Sequence, residues 1–448
     1  MGRPAPSVPG PSDARHASPA LASFGGPRPG APFQPGPRRA DDRRVAVASL
    51  AVAAGFLGLA VIAVIVRPIV GASAAPWLPL HLALAGGATT AIAGVMPFFV
   101  AALTAGRPAP MGLRVAAVAL VATGALAVSV RGVVPSIEWM PPVGGLVYLA
   151  GIGATALAVR RSGRAGLMAR RPVVTLGYMA ALANVAIGAS LGILAAAGWA
   201  PVLERWASLR PAHAWTNVIG FVSVVIVATL LHFLPTVLGT RIVPRRAAIV
   251  AVLAIAMGSP IVVVGLVAGW GAVAGGGAAL TLVGAGALAV EAGRMVRARG
   301  RWTTDPGWHL LAEGGLLAGV AWFCVGASLA SGRVVLAGWG LAADAWSTPL
   351  VGAALVLGWI VQVLIASWTH VLPSIGPGGP PEHSRQRAIL GRGAAARLIA
   401  LNTAVLLIAI GWPTGIGSLA GSGLVLAALT VAWSVGLAAL ALRVRPLS

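Results

Sequence analysis

Apolar runs of about twenty residues or more recur along this chain from residue 45 to its end. A run of that length and apolarity has one economical solution. At a rise of ~1.5 Å per residue, about twenty helical residues cross a hydrocarbon core of ~30 Å while pairing their own backbone groups. Composition supports this reading: 58% of residues are hydrophobic and 9% are charged. The chain is therefore expected to be an all-α, polytopic membrane protein. The runs fall near 45–66, 77–105, 114–134, 141–159, 172–198, 212–239, 247–269, 272–293, 306–331, 346–372, 396–415 and 419–442, which makes about twelve transmembrane helices. The domain division that follows is a Pro-, Gly- and Arg-rich disordered tail over 1–43 and a twelve-helix transmembrane domain over 44–448. The tail lacks the apolar stretch of a secretory signal.

Charge orients the bundle. The net charge is +22 and all thirty-two basic residues are Arg. In a soluble chain that excess would suggest nucleic acid, but here the arginines fall between spans, so no nucleic-acid partner is expected. With both termini in the cytoplasm, twenty-seven arginines face inward and only Arg67, Arg131, Arg205, Arg210 and Arg333 face outward. This is the positive-inside pattern of a multi-pass protein of the cytoplasmic membrane, in contact with anionic lipid. Trp77, Trp139, Trp199, Trp206, Trp270 and Trp339 fall in the outer connections, as an interfacial belt. Cys324 is the only cysteine, which excludes intrachain disulfides and CxxC chemistry. All connections are short and leave no place for a soluble catalytic domain.

An internal repeat appears at a spacing of four spans. The second span ends in AGVMPFFVAAL, the sixth in LLHFLPTVLG and the tenth in WTHVLPSIGPG, placing Pro97, Pro235 and Pro373 near corresponding ends. The match of His232-Phe-Leu-Pro235 to His370-Val-Leu-Pro373 is its sharpest part. Three four-helix units around a pseudo-threefold axis are the implied arrangement.

Histidines then sort by depth. Nineteen residues separate His213 from His232, or ~28 Å along a helix, so the two cannot share a ligand. His81 and His213 belong to the outer side; His232, His309 and His370 belong to the inner side; His16 and His383 fall in polar segments and read as solvated. Intramembrane ionisable groups are functional candidates, and neutral imidazole is a common ligand of haem iron or copper. Gly86, Gly87 and Gly220 follow the outer pair and would either let a flat macrocycle approach or serve close helix packing. At the inner side Asp305 and Pro306 read as a helix start, with Glu313 one turn beyond His309 as a carboxylate able to orient its ring.

HLALAGGATTAIAGVMPFF and HAWTNVIGFVSVVIVATLLHFLPTVLGTR, with the span count and threefold repetition, resemble the haem-copper oxidase subunit I superfamily. The likeness is closer to its divergent NnrS-like members and to the membrane region that some actinobacterial copper nitrite reductases and multicopper oxidases carry ahead of their cupredoxin domains. The resemblance implies haem b, and copper as a further cofactor, with His81 and His213 as cofactor ligands; depth and the four-span repeat make His232, His309 and His370 the further metal candidates. It also implies an electron relay or a nitric-oxide-related role in nitrogen oxide metabolism, with quinol and a separate copper nitrite reductase or multicopper oxidase as partners. The oxygen-reducing site is missing: there is no adjacent His pair, no Lys, and the tyrosines are Tyr148 and Tyr178 alone. Trp215 stands where relatives tend to carry a second histidine. The alternative classes are a transporter for copper or a small solute, and a structural subunit without cofactor.

Overall fold

In the computed structural model the described residues are 2, 37–70, 75–104, 106–164, 172–241, 246–299, 306–336 and 348–444. Residues 1 and 3–36 of the expected tail lie outside them, as do His16, Asp305 and Trp339. The described residues are helical, without a strand. Twelve helices are long and apolar enough to cross a membrane: Arg44–Val66, Leu78–Thr104, Met111–Val130, Met140–Gly163, Val173–Ala196, Trp206–Val237, Arg246–Ala268, Gly271–Arg297, Gly307–Leu336, Pro349–Ser374, Ala394–Gly411 and Gly417–Leu442. The protein is thus a polytopic helical membrane protein. Its first helix begins at Pro37, seven residues inside the segment expected to be tail. A proline is well placed in a first helical turn, and the Arg and Asp residues that follow extend the helix beyond the apolar span.

The seventh and eighth spans are separate helices, as the break at Trp270 suggested. Gly269, at φ 71°, takes the left-handed conformation that turns the chain, and the Trp270 amide closes the turn on the Gly265 carbonyl at 2.8 Å.

The same pattern of neighbours recurs in each run of four spans. The second span of each run packs on the first and on the third, and the third and fourth form a close antiparallel pair. Glycines make that closeness possible. A Cβ at Gly124 would lie 2.5 Å from the Tyr148 amide nitrogen, one at Gly265 2.2 Å from that of Ala274, and one at Gly411 2.5 Å from that of Ala420. Backbones meet where side chains are absent, the usual way helices associate without a hydrophobic drive between them.

The second, sixth and tenth spans are set apart in another way. Each contains a π-helical segment: Leu82–Ala88, Thr216–Ser223 and Ala353–Val361. Hydroxyls close two of these on carbonyls five residues back, Thr89 on Leu84 at 2.9 Å and Ser223 on Val218 at 2.8 Å. The Trp359 indole nitrogen, in the third segment, donates to Ser223 at 3.0 Å and pins the tenth span to the sixth. The sixth span is the most enclosed, with 78% of its window buried against 22% for the first span. Its own Trp215 and Phe221 pack in the same core as Phe323 and Trp359 of the ninth and tenth spans.

Candidate functional site

The start of the second span and the first half of the sixth bring His81 and His213 together. Pro79 in the first turn starts the short helix Leu78–His81, and His81 is the residue from which the π segment departs. The other histidine lies near the end of the helix Trp206–Trp215, just before the second π segment. Their ring centres are 5.9 Å apart with planes 12° from parallel. Each ring is tied to backbone through Nδ1: His81 donates to the Trp77 carbonyl at 3.2 Å and His213 to the Gly188 carbonyl at 2.7 Å. A carbonyl can only accept, so in the neutral rings the proton sits on Nδ1 and Nε2 keeps its lone pair.

The surroundings hold these orientations. The Asn217 amide donates to the His213 carbonyl at 2.7 Å and comes within 3.5 Å of its Nε2, a long contact for a hydrogen bond. Trp77 packs edge-on against His81 at 4.7 Å, and Trp206 lies 6.2 Å from His213. Gly192 of the fifth span is the floor under His213, since a Cβ there would lie 3.0 Å from the ring's Cε1. Gly188, Gly192, Asn217 and the Trp77 carbonyl are contributors that reading the sequence missed. The two glycines sit four residues apart on one helix face, a small-xxx-small signal that was legible but ordinarily means helix packing.

The glycines that were read as candidates for ring clearance serve packing instead. A Cβ at Gly86 would lie 2.2 Å from Phe56, one at Gly87 3.4 Å from Leu57, and one at Gly220 2.3 Å from Ser259. Trp215 is 1% exposed and part of the central core.

At the other end of the bundle two histidines of the expected trio come close, His309 and His370. His309, 5% exposed, and His370 have ring centres 6.4 Å apart. His309 donates from Nε2 to the Val237 carbonyl at 3.1 Å. Trp308 stacks on His370 at 5.3 Å and donates to the Thr369 carbonyl. The sixth span reaches His370 through Phe233, edge-on at 5.4 Å. Among the described residues no three His, Cys, Asp or Glu side chains come together as a metal-holding set. Glu313, expected to orient His309, instead accepts from Arg299 at 2.8 Å. That guanidinium reaches it from the segment before the ninth span, a proximity that spacing along one helix could not reveal. His383, read as solvated, is half-buried on the helix Pro380–Leu390.

No known protein-family profile and no curated protein matches the chain.

Proposed function

We propose that His81 and His213 would together hold a redox-active metal centre, haem b iron or copper, in an electron-relaying membrane protein of the cytoplasmic membrane. The observation that carries this reading is the facing pair of carbonyl-tethered imidazoles. The observed separation is 5.9 Å. Backbone carbonyls on both Nδ1 atoms are the outer partners that fix tautomer and ring direction in histidine metal sites.

The donor set suits iron or copper, for which imidazole is an ordinary ligand. A metal held there would supply one-electron transfer; the chain supplies the orientation of the two half-buried rings. The arginine-rich ends of the spans are taken as cytoplasmic, which puts this centre toward the outer surface, where a separate copper nitrite reductase or multicopper oxidase would exchange electrons and quinol would donate them. The family likeness to NnrS-like proteins supports a nitric-oxide-related setting for that relay.

Purification from membranes followed by absorbance and elemental analysis tests the assignment. The wild type is expected to show a Soret band or stoichiometric copper, and His81→Ala and His213→Ala are each expected to lose it. A wild type with neither haem nor transition metal refutes the proposal and favours a transporter or structural subunit. Retention by both variants moves the centre elsewhere.

A further inference from the structure

Arg397 lies at the arginine-rich end, in the first turn of the eleventh span, and is 1% exposed. The local fold is built around it. Gly393, just before that helix, has φ 61°, and a Cβ there would lie 2.4 Å from the six-membered ring of Trp433. Only glycine both adopts this backbone and admits the indole. The indole in turn lies under the guanidinium, whose carbon is 5.8 Å from the ring centre. Arg397 donates through Nη1 to Ser434 at 3.3 Å and through Nη2 to the Leu390 carbonyl. Its Nε is buried without a hydrogen-bond partner.

No carboxylate pairs with this guanidinium among the described residues; the carboxylates of Glu291 and Glu313 are engaged by Arg294 and Arg299. Arginine does not escape burial by losing its proton. A buried charge without a counter-charge costs several kcal/mol, so the chain has assembled a position that an anion would complete. Beside it is a narrow cleft, open at its mouth, lined by Ile365, Thr369, Leu390, Arg397, Ser434 and Val435. Apart from Arg397, Ser434 and Thr369, whose hydroxyl is spent on the Ile365 carbonyl, these walls are apolar, and Val435 is 38% exposed on the surface of the twelfth span. A free inorganic anion would gain nothing from such walls; an anion with a hydrocarbon tail would. Arg385 and Arg392 are exposed in the neighbouring segment and add attraction for net negative headgroups.

We infer that Arg397, Trp433 and Ser434 form a binding site for the phosphate of an anionic glycerophospholipid, whose acyl chain runs along Ile365 and Val435 between the tenth and twelfth spans. The site clamps the last three spans together through a lipid and is independent of the histidine pair.

The test is native mass spectrometry of the full-length protein in detergent, with phosphatidylglycerol or phosphatidylcholine of identical chains added, and inorganic phosphate as a third arm. The wild type is expected to retain phosphatidylglycerol at least about tenfold better than phosphatidylcholine. Arg397→Gln is expected to remove that preference, and Arg392→Gln is expected to keep most of it. Val435→Trp, which closes the mouth while leaving the guanidinium in place, is expected to lose the lipid as well and stands in if Arg397→Gln does not fold. Equal retention of the two lipids by wild type overturns the inference. So does a preference that survives Arg397→Gln or Val435→Trp, which would belong to the basic surface as a whole. Protection from binding by inorganic phosphate alone, with no lipid retained, would make it a simple anion site and overturn the lipid assignment.

Discussion

Gly192→Ala separates the positioning of His213 from the folding of the bundle. The added methyl would sit 3.0 Å from the ring's Cε1 and 3.4 Å from Nδ1, where 3.4–4 Å is ordinary contact. The ring must therefore retreat by about 0.4 Å, close to the ~0.5 Å tolerance within which a binding constellation works. That retreat acts on the nitrogen held to the Gly188 carbonyl at 2.7 Å. Disturbing such a supporting hydrogen bond typically costs about 10–100-fold in metal affinity. The fold is pulled the other way, because alanine favours a helix over glycine by ~1 kcal/mol, which offsets the strain of the displaced ring. With a metal held as proposed, the expected result is an unchanged thermal unfolding midpoint for the apo-protein in detergent, and metal occupancy after dialysis against a chelator down about tenfold or more. Gly276→Ala provides the control, since a Cβ there meets nothing within 4 Å, and should leave occupancy untouched. Full occupancy in Gly192→Ala, or an equal loss in Gly276→Ala, would refute the reasoning.

Gly265→Leu should prevent the seventh and eighth spans from closing, because even its Cβ would lie 2.2 Å from the Ala274 nitrogen; size-exclusion chromatography should show aggregate, while Gly286→Leu, facing open space, stays monodisperse. Trp359→Phe removes the bond to Ser223 but leaves Ser223 on Val218, so denaturant unfolding should register a loss of about 1 kcal/mol. Glu313→Gln breaks a pair whose partners are 24% and 58% exposed, and should cost no more than ~1 kcal/mol. The difference from wild type should vanish at about 1 M salt, where the screening length is ~3 Å.

The span boundaries were legible because hydrocarbon thickness sets their length and arginines mark their ends; the twelve expected runs match the twelve helices to within a few residues at most ends. The meeting of His81 with His213 was legible too, since equal depth and the four-span repeat put their helices at one level. What surrounds them was not. Gly188 contributes a carbonyl, which every residue has, and Gly192 contributes an absent side chain, so neither carries a chemical signature. At the inner end, a residue's place in an H-x-L-P motif fixes its depth but not its azimuth, and the contact of Phe233 with His370 could not be read from the motif. The helix Pro380–Leu390 was overlooked although Gly379-Pro380-Pro381-Glu382 carries a start signal. There the Glu382 carboxylate accepts from the Gly379 amide at 2.6 Å.

The π segments of the second, sixth and tenth spans have a further consequence. Each one lodges extra residue length in the middle of a helix, and a single residue is worth ~100° of helical rotation. The two halves of these spans are thereby out of phase with one another. The half bearing His81 or His213 and the half bearing Pro97 or Pro235 can each choose which face to turn inward, without compromise between them. A straight α-helix would couple the two ends rigidly, so that a change made to aim a ligand at one end would swing the packing at the other. In this protein the two ends of each central span were free to diverge.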